Sequence, residues 1–263
     1  MQQSYWIKQG KEAFFADMAW ARPETKRTAG KLLVVGGHGQ SFAAPAKAHR
    51  AAEQAGIGSV QTLLPDSLEK ALSKTFPETS FAPSHASGGF VGRALAEFTH
   101  GATWADGVLL AGDFGRNSES LAMLEKFAAK YNGQLSITQD AADFFCTQPQ
   151  TLQERPETLL VLDLAQLQKL GRSLRLPYAF TSNLGIRELV AQLHELTVSH
   201  QNLFIITQQQ NNYAVAVAGK VCTSPAAEKT DWQISHAASA ATWWLQNPKK
   251  PFEAFATCLV ASM

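Results

Sequence analysis

Cysteine is scarce in this chain of 263 residues, which contains only Cys146, Cys222 and Cys258. The three are far apart and odd in number, which excludes a disulfide framework, and they show no spacing typical of a metal site. We interpret each of them as a small buried hydrophobic residue of a cytoplasmic protein that keeps its thiols reduced.

An excess of one charge and long apolar runs are also absent. Lys and Arg total 23 and Asp and Glu total 22, which gives a formal net charge of +1. Nothing in this balance favours nucleic acid or an acidic membrane surface as a partner. No apolar run reaches the roughly 18 residues that a membrane-spanning helix needs, and the N-terminus lacks the pattern of a signal peptide. We therefore expect neither a nucleic acid nor a membrane partner.

Apolar segments with the character of strands alternate with segments of helical periodicity. The predicted strands are Leu32–Val35, Ser59–Leu64, Gly107–Ala111, Leu135–Thr138, Leu159–Leu162, Leu203–Ile206 and Tyr213–Ala218, and the predicted helices include Ala44–Ala55, Ser235–Gln246 and Phe252–Ala261. The unbroken apolar character of Leu32–Val35 and Gly107–Ala111 predicts interior strands that are covered on both faces. The alternation favours an α/β fold with a mainly parallel sheet, and the length suits one domain over residues 1–263.

A glycine-rich junction follows the first of these strands. Gly36, Gly37 and Gly39 allow the backbone to turn sharply and to approach a ligand closely. Pro45 suits the first turn of the next helix and Gly56 suits its end. This strand-loop-helix junction is a place where a nucleotide could lie.

The same stretch resembles the start of the NAD(P)H-hydrate dehydratases, a family within the ribokinase-like kinases. The family has a Gly-Gly-Ser loop, a Gly-Ala-Pro helix start and a Gly-Ala-Gly turn, and the matching residues here are Gly36, Gly37, Ala44, Pro45, Gly56 and Gly58. His38 replaces the serine, and Ala43 replaces the first glycine of Gly-Ala-Pro. The resemblance implies a ribokinase-like three-layer α/β/α sandwich and a ligand site that includes Gly37, His38 and Ala43.

A second segment, Ala111 to Glu119, resembles the Gly-Pro-Gly-Leu-Gly-Arg loop that this family presses against its substrate. The resemblance places Gly112, Asp113 and Gly115 at the ligand, although the charge of Asp113 would repel phosphate. The alternative is a tight turn from strand to helix, with Asn117 or Ser118 as the N-cap. Because ligands of open α/β sheets bind at the carboxyl ends of strands, we expect a pocket where loops 36–42 and 112–116 converge.

Three further positions follow apolar strands. Asp140 matches the second aspartate of the family's Asp-Ala-Asp-Ala-Leu, and it could hold Mg²⁺ through water or cap the following helix. The family's Thr-Pro-His-x-Gly-Glu segment aligns with residues 159–170, where none of its residues is present. We interpret Asp163 in this segment as a helix cap, and the alignment also makes it a candidate binding residue. Thr207 replaces a lysine that faces nucleotide phosphate in the family, and it keeps only a hydroxyl donor.

The catalytic motif of the family is missing. Ribokinase-like enzymes begin a late helix with Gly-Ser/Thr-Gly-Asp, in which the glycine N–H groups stabilise the transferred phosphoryl group and the aspartate is the general base. The corresponding residues are Trp232 to Ser235, with Ser235 at the aspartate position. Asp231 and His236 are the nearest candidates for a substitute base. The alternative is an ordinary helix start that Ser235 caps.

These observations favour a dehydratase-like pseudoenzyme that retains binding of a nucleotide or of a protein partner. The alternative is an active ADP/ATP-dependent NAD(P)H-hydrate dehydratase, a lyase, with a substitute base. The resemblance implies ADP or ATP with Mg²⁺ as cofactors, no resident metal, and NAD(P)H or a related nucleotide as ligand. The sequence leaves the oligomeric state open, with a homo-oligomer as one alternative. Trp243 and Trp244 favour packing, either internal or at a subunit contact, and stacking against a cofactor is the alternative. A Rossmann dehydrogenase is disfavoured because Phe42 occupies the third glycine position of its motif.

Overall fold

The computed structural model describes residues 4–76, 78–226 and 232–261. Its strands are β1 Trp6–Lys8, β2 Lys31–Gly36, β3 Ser59–Pro65, β4 Thr79–Ala82, β5 Gly107–Gly112, β6 Gln134–Ile137, β7 Thr158–Leu162, β8 Leu203–Gln209, β9 Asn212–Val217 and β10 Lys220–Pro225. Its helices are α1 Asp17–Trp20, α2 Ala43–Gln54, α3 Glu69–Leu72, α4 Leu95–Trp104, α5 Ser118–Lys130, α6 Gln139–Thr147, α7 Gln150–Glu154, α8 Leu164–Ser173, α9 Ile186–Ser199, α10 Trp232–Gln246 and α11 Pro251–Ala261.

Ten strands of the described ranges form one sheet in the order β1-β10-β9-β8-β7-β6-β5-β2-β3-β4. Strand β9 runs antiparallel to both of its neighbours, and the other pairings are parallel. The sheet places β2 between β3 and β5, and it places β5 between β2 and β6. The prediction of a mainly parallel sheet with these two segments as interior strands is confirmed.

Helices cover both faces of the sheet, because side chains alternate between the faces along each strand. Leu33 and Val35 of β2 join a core that contains residues of α4, α5, α6, α8 and α9. Leu32 and Val34 join a second core with residues of α1, α2, α10 and α11, and Trp244 is fully buried there. The predicted three-layer α/β/α sandwich is confirmed, and Trp243 and Trp244 both pack inside the chain.

Some elements differ from the sequence-based prediction. The strands β1, β4 and β10 were not predicted, since their sequences, WIK, TSFA and KVCTSP, contain no apolar run as long as those of the predicted strands. Helix α10 includes Trp232, so Ser235 lies inside the helix and the predicted cap at Ser235 is wrong. Thr138 lies outside β6, at the N-cap position of α6. None of the described helices has the length and apolar character to cross a lipid bilayer.

The buried side chain of Arg155 stabilises the end of the sheet at which β6 and β7 begin. Arg155 is only 5 % exposed, and its Nη2 donates to the carbonyl oxygens of Tyr131 at 2.9 Å and Gly133 at 3.1 Å. Its Nε donates to the carbonyl oxygen of Ala128 at 3.3 Å, and its Nη1 donates to the Thr158 hydroxyl. Arg155 therefore satisfies backbone acceptors where α5 ends and ties them to the first residue of β7.

We predict that Arg155→Met destabilises the fold by roughly 2–4 kcal/mol, because several buried carbonyl groups lose their donor together. The free energy of unfolding in urea measures the effect. The matched variant Arg187→Met, at an exposed position of α9, should stay within about 0.5 kcal/mol of the wild type. Equal stability of the two variants would contradict this role for Arg155.

Candidate functional site

The carboxyl ends of β2 and β5 meet at an unusually close backbone approach. A Cβ atom on Gly36 would collide with the carbonyl oxygen of Gly112, and the register of the two strands shifts at this point. The N–H of Gly37 donates to the Gly112 carbonyl at 3.0 Å. Loops 36–42 and 112–116 are therefore held side by side, as the sequence predicted.

Asp113 caps the helix that begins beside it. Its Oδ2 accepts hydrogen bonds from the N–H of Ala44 at 2.9 Å and from the Ser41 hydroxyl at 2.8 Å. Ala43 is the first residue of α2, and the N-cap residue, Phe42, gives no side-chain bond. The positive end of α2 is where a ligand anion would be expected. Here a carboxylate of the protein already satisfies one of its N–H groups.

Asp140 ties the start of α6 to the same loop. Its Oδ2 accepts from the Gly115 N–H at 2.9 Å, whereas its Oδ1 is buried and has no hydrogen-bond partner among the described residues. Burial raises the pKa of this carboxyl, and the nearby charge of Asp113 raises it further. Thr138, not Asp140, is the N-cap residue of α6. The interpretation of Asp140 as the cap of that helix is therefore wrong.

A segment that the sequence analysis did not single out covers the two loops. The N–H of Gly39 donates to the Gly88 carbonyl at 3.0 Å, and the His38 ring lies 3.1 and 3.2 Å from the positions where Gly88 and Gly115 would carry a Cβ. Glu119 anchors the same segment, since it accepts from the Gly92 N–H at 2.6 Å and lies 2.7 Å from His85. Residues 85–92 therefore close over His38.

Asn117 caps the helix that begins in the segment from Ala111 to Glu119. Its side chain accepts from the Glu119 N–H at 2.8 Å and is the N-cap of α5. The predicted turn from strand to helix with this cap is confirmed.

Three glutamine side chains form a hydrogen-bonded amide cluster where β6, β7 and α10 meet. Gln139 donates to the Gln233 side chain at 3.0 Å, and Gln233 donates to the Gln166 side chain at 2.8 Å. Gln166 also donates to the Gln139 carbonyl at 2.8 Å. Gln139 and Gln166 follow the ends of neighbouring strands, and Gln233 is the second residue of α10. Gln233 thus lies within the segment that would carry the family's glycine-aspartate motif.

Asp163 belongs to the framework of this cluster. Its side chain accepts from the Gln166 N–H at 2.7 Å, and its own N–H donates to the Gln166 side chain at 3.0 Å. This reciprocal pair is a capping box at the start of α8. The predicted cap at Asp163 is confirmed.

The remaining candidate residues are less accessible. Thr207 is 1 % exposed, and its hydroxyl is buried without a hydrogen-bond partner in the described ranges. His236 is 2 % exposed, with Nδ1 2.8 Å from the Trp232 carbonyl oxygen and its ring 4.5 Å from that of Tyr213. Ser235 lies within α10, and Asp231 lies outside the described residues.

The structure brings together most of the predicted site. The candidate residues that lie in or beside the converging loops are Gly37, His38, Ala43, Gly112, Asp113, Gly115 and Asp140. Asp163 is connected to them through the amide cluster. Sequence reasoning assigned no role to Gln139, Gln166 or Gln233. All three glutamines align with motifs of the resembled family. An amide side chain at each of these motif positions was the signal that could have identified them.

A pocket at the converging loops stays a prediction. Cavities of about 450, 410 and 320 Å³ lie elsewhere and are lined by neither loop. The described groups also fit a nucleoside triphosphate poorly, because Asp113 caps α2 and Thr207, which the resemblance aligns with a phosphate-facing lysine, is buried. The described residues contain no group of three or more His, Cys, Asp or Glu side chains placed to hold a metal ion.

We predict that Asp113→Ala costs about 1–2 kcal/mol of stability, because α2 loses its cap. Asp113 has a φ of +62°, a conformation that Asn tolerates and Ala does not. Asp113→Asn should therefore remain within about 0.5 kcal/mol of the wild type. Urea unfolding of both variants tests this, and an Ala variant as stable as the wild type would refute the capping role.

A second prediction concerns the pH dependence of stability. Since the folded state raises the pKa of Asp140, ionisation of this group disfavours folding as pH rises above the unfolded value of about 4. Asp140→Asn removes this effect. Its stability relative to the wild type should therefore improve between about pH 4 and pH 7, measured by urea unfolding at each pH. A relative stability that falls over this range would contradict the prediction.

Comparisons with known proteins identify the fold. No protein-family model and no curated protein match the sequence. The structure is similar to a ribokinase-like superfamily protein from Enterococcus faecalis V583, with a TM-score of 0.75 and 16 % identity over 100 % of this chain and 87 % of that one.

Two further structures agree. An ADP/ATP-dependent NAD(P)H-hydrate dehydratase from Bacillus subtilis, co-crystallized with ATP/Mg²⁺, matches with a TM-score of 0.60 and 11 % identity over 91 % of this chain and 80 % of that one. A pyridoxal kinase from Bacillus subtilis in complex with ADP matches with a TM-score of 0.52 and 8 % identity over 87 % and 88 % of the two chains. The chain therefore has the ribokinase-like fold, as the sequence resemblance implied.

Proposed function

We propose that this protein is a dehydratase-like member of the ribokinase fold that has lost phosphoryl transfer and retains ligand binding. The ligand would be NAD(P)H or a related nucleotide, and a protein partner is the other outcome to be tested. The observation that carries the proposal is the amide cluster of Gln139, Gln166 and Gln233. It occupies the ends of the strands and the helix start where ribokinase-like enzymes carry their phosphoryl-transfer groups.

The amide cluster lacks both elements that the transfer requires. A general base must accept a proton from the attacking hydroxyl, and a glutamine amide does not act as a base at neutral pH. The oxyanion site also needs glycine N–H groups that a phosphoryl group can approach closely. Trp232 and Ile234 occupy those glycine positions, and the Gln233 side chain is hydrogen-bonded to Gln139 and Gln166. His236 is an unfavourable substitute base because it is buried against Tyr213.

The charges around the converging loops also argue against phosphate recognition. Asp113 and Asp140 are close enough for the charge of one to raise the pKa of the other. Recognition at this edge would therefore depend on the uncharged hydrogen-bonding groups of a nucleotide. One domain over residues 1–263, a cytoplasmic location and a homo-oligomeric state are part of the same proposal.

We predict that the purified protein shows no useful dehydratase activity, while NADH or NADPH raises its melting temperature. Loss of the general base alone lowers the rate roughly 10²- to 10⁴-fold, and one missing oxyanion donor lowers it about 10²- to 10³-fold. The assay is the recovery of NADH absorbance from NADH hydrate with ATP or ADP and Mg²⁺. Ser235→Asp should not restore it, because Trp232 and Ile234 still occupy the glycine positions.

Matched variants separate specific from general effects. A ligand at about 100 times its Kd stabilises a protein by about 2.7 kcal/mol. His38→Ala, in the first of the converging loops, should reduce this shift, whereas His100→Ala, at an exposed position of α4, should preserve it. Turnover of about 1 s⁻¹ or faster would overturn the loss of catalysis. A shift that is absent with every nucleotide would leave protein capture as the proposed role.

A further inference from the structure

The opposite edge of the sheet, where the parallel strands begin, carries a separate cavity. A cavity of about 450 Å³ opens between segment 23–29, the last turns of α2, the turn 56–58 and the start of β3. The carboxyl ends of β2 and β5, where the converging loops lie, belong to the other edge. Helix α2 has 12 residues and therefore a length of about 18 Å, so the two sites are separated by roughly that distance.

His49 gives the cavity a buried hydrogen-bonding group. The residue is only 5 % exposed, and its Nδ1 lies 2.8 Å from the Thr62 hydroxyl. Its Nε2 is 3.9 Å from Oε1 of Glu53, which is beyond hydrogen-bonding distance. Among the described residues nothing else bonds to this nitrogen, and both His49 and Glu53 line the cavity. Phe76 packs edge-on against the ring at 4.7 Å and fixes its orientation.

The imidazole is an acceptor in this setting. Burial lowers the pKa of His49, and the opposing effects of Glu53 and Glu78 are smaller. The ring is therefore mainly uncharged at neutral pH. When Nδ1–H donates to Thr62, the lone pair of Nε2 is available to a donor in the cavity.

The lining is net negative. It contains the carboxylates of Glu24, Glu53 and Glu78 and the single ammonium group of Lys26. Glu53 and Glu78 both lie close enough to His49 to influence its titration. These groups are not arranged as a metal site, since the described residues hold no cluster of three such ligands. The charge and the acceptor together suit an organic cation that donates hydrogen bonds.

We propose that this cavity binds a small organic cation with a primary ammonium group, which donates to Nε2 of His49 and pairs with Glu53 and Glu78. The cavity volume lies within the roughly 300–1,000 Å³ typical of small-molecule sites. An ammonium group has three donors and no acceptor, which matches one imidazole nitrogen and two carboxylates. The site is independent of the one at the carboxyl edge of the sheet.

Calorimetric titration with putrescine tests the proposal, with butanediol as its uncharged isostere. The wild-type protein should bind putrescine and not butanediol. Glu53→Gln should weaken the complex about tenfold, the loss expected for one charge pair near the surface. Because Glu53 is exposed at the surface, this variant should fold normally. The matched variant Glu154→Gln, at an exposed position of α7, should bind as the wild type does.

A second measurement reports on the imidazole itself. In a nitrogen NMR spectrum, putrescine should shift the Nε2 signal of His49 and leave that of the exposed His100 unchanged. The proposal is overturned if no binding occurs up to about 10 mM putrescine, above the range of weak complexes near 1 mM. It is also overturned if butanediol binds equally well, or if Glu53→Gln and Glu154→Gln weaken binding by the same factor.

Discussion

The close approach between the ends of β2 and β5 is the constraint on which the candidate site depends. A side chain at Gly36 would collide with the Gly112 carbonyl, and the Gly37 N–H donates to that same oxygen at 3.0 Å. This contact fixes the spacing of the two loops that follow. It also brings Asp113 to the start of α2, where its carboxylate caps the helix. Gly36 and Gly112 have no side chains, so the two backbones can approach closely. This contact determines the position of α2 and of the core beneath it.

At this edge the protein's own polar groups occupy places that suit ligand groups. Asp113 binds an N–H group at the start of α2, Asp140 binds the Gly115 N–H, and the amide cluster fills the start of α10. Asp113 and Gln139 adopt left-handed backbone conformations, with φ of +62° and +55°. Such conformations are unfavourable for residues other than glycine, and they persist where surrounding contacts fix them. Both residues belong to the hydrogen-bonded groups at this edge, since Asp113 caps α2 and Gln139 is part of the amide cluster.

The two edges of the sheet carry different electrostatics, and α2 connects them. Its first turn is capped by Asp113, and its later turns carry His49 and Glu53 into the acidic cavity. The helix packs against α10 and β2, which belong to the same core.

The sequence by itself determined the layered fold. Unbroken apolar strands require cover on both faces, and the alternation of strand and helix then requires a parallel sheet between two layers of helices. It also predicted the cap at Asp163 and narrowed that of α5 to Asn117 or Ser118, because such caps depend on neighbours within three residues. Only the tertiary structure decided what surrounds Asp140, where Ser235 falls in α10, and that Gln139, Gln166 and Gln233 meet. These glutamines are 27 to 94 residues apart in pairs, and a single sequence carries no signal for contacts over such separations. The same reasoning applies to the acidic cavity. The end of one helix and two distant loops line it, and only the folded sheet places these segments side by side.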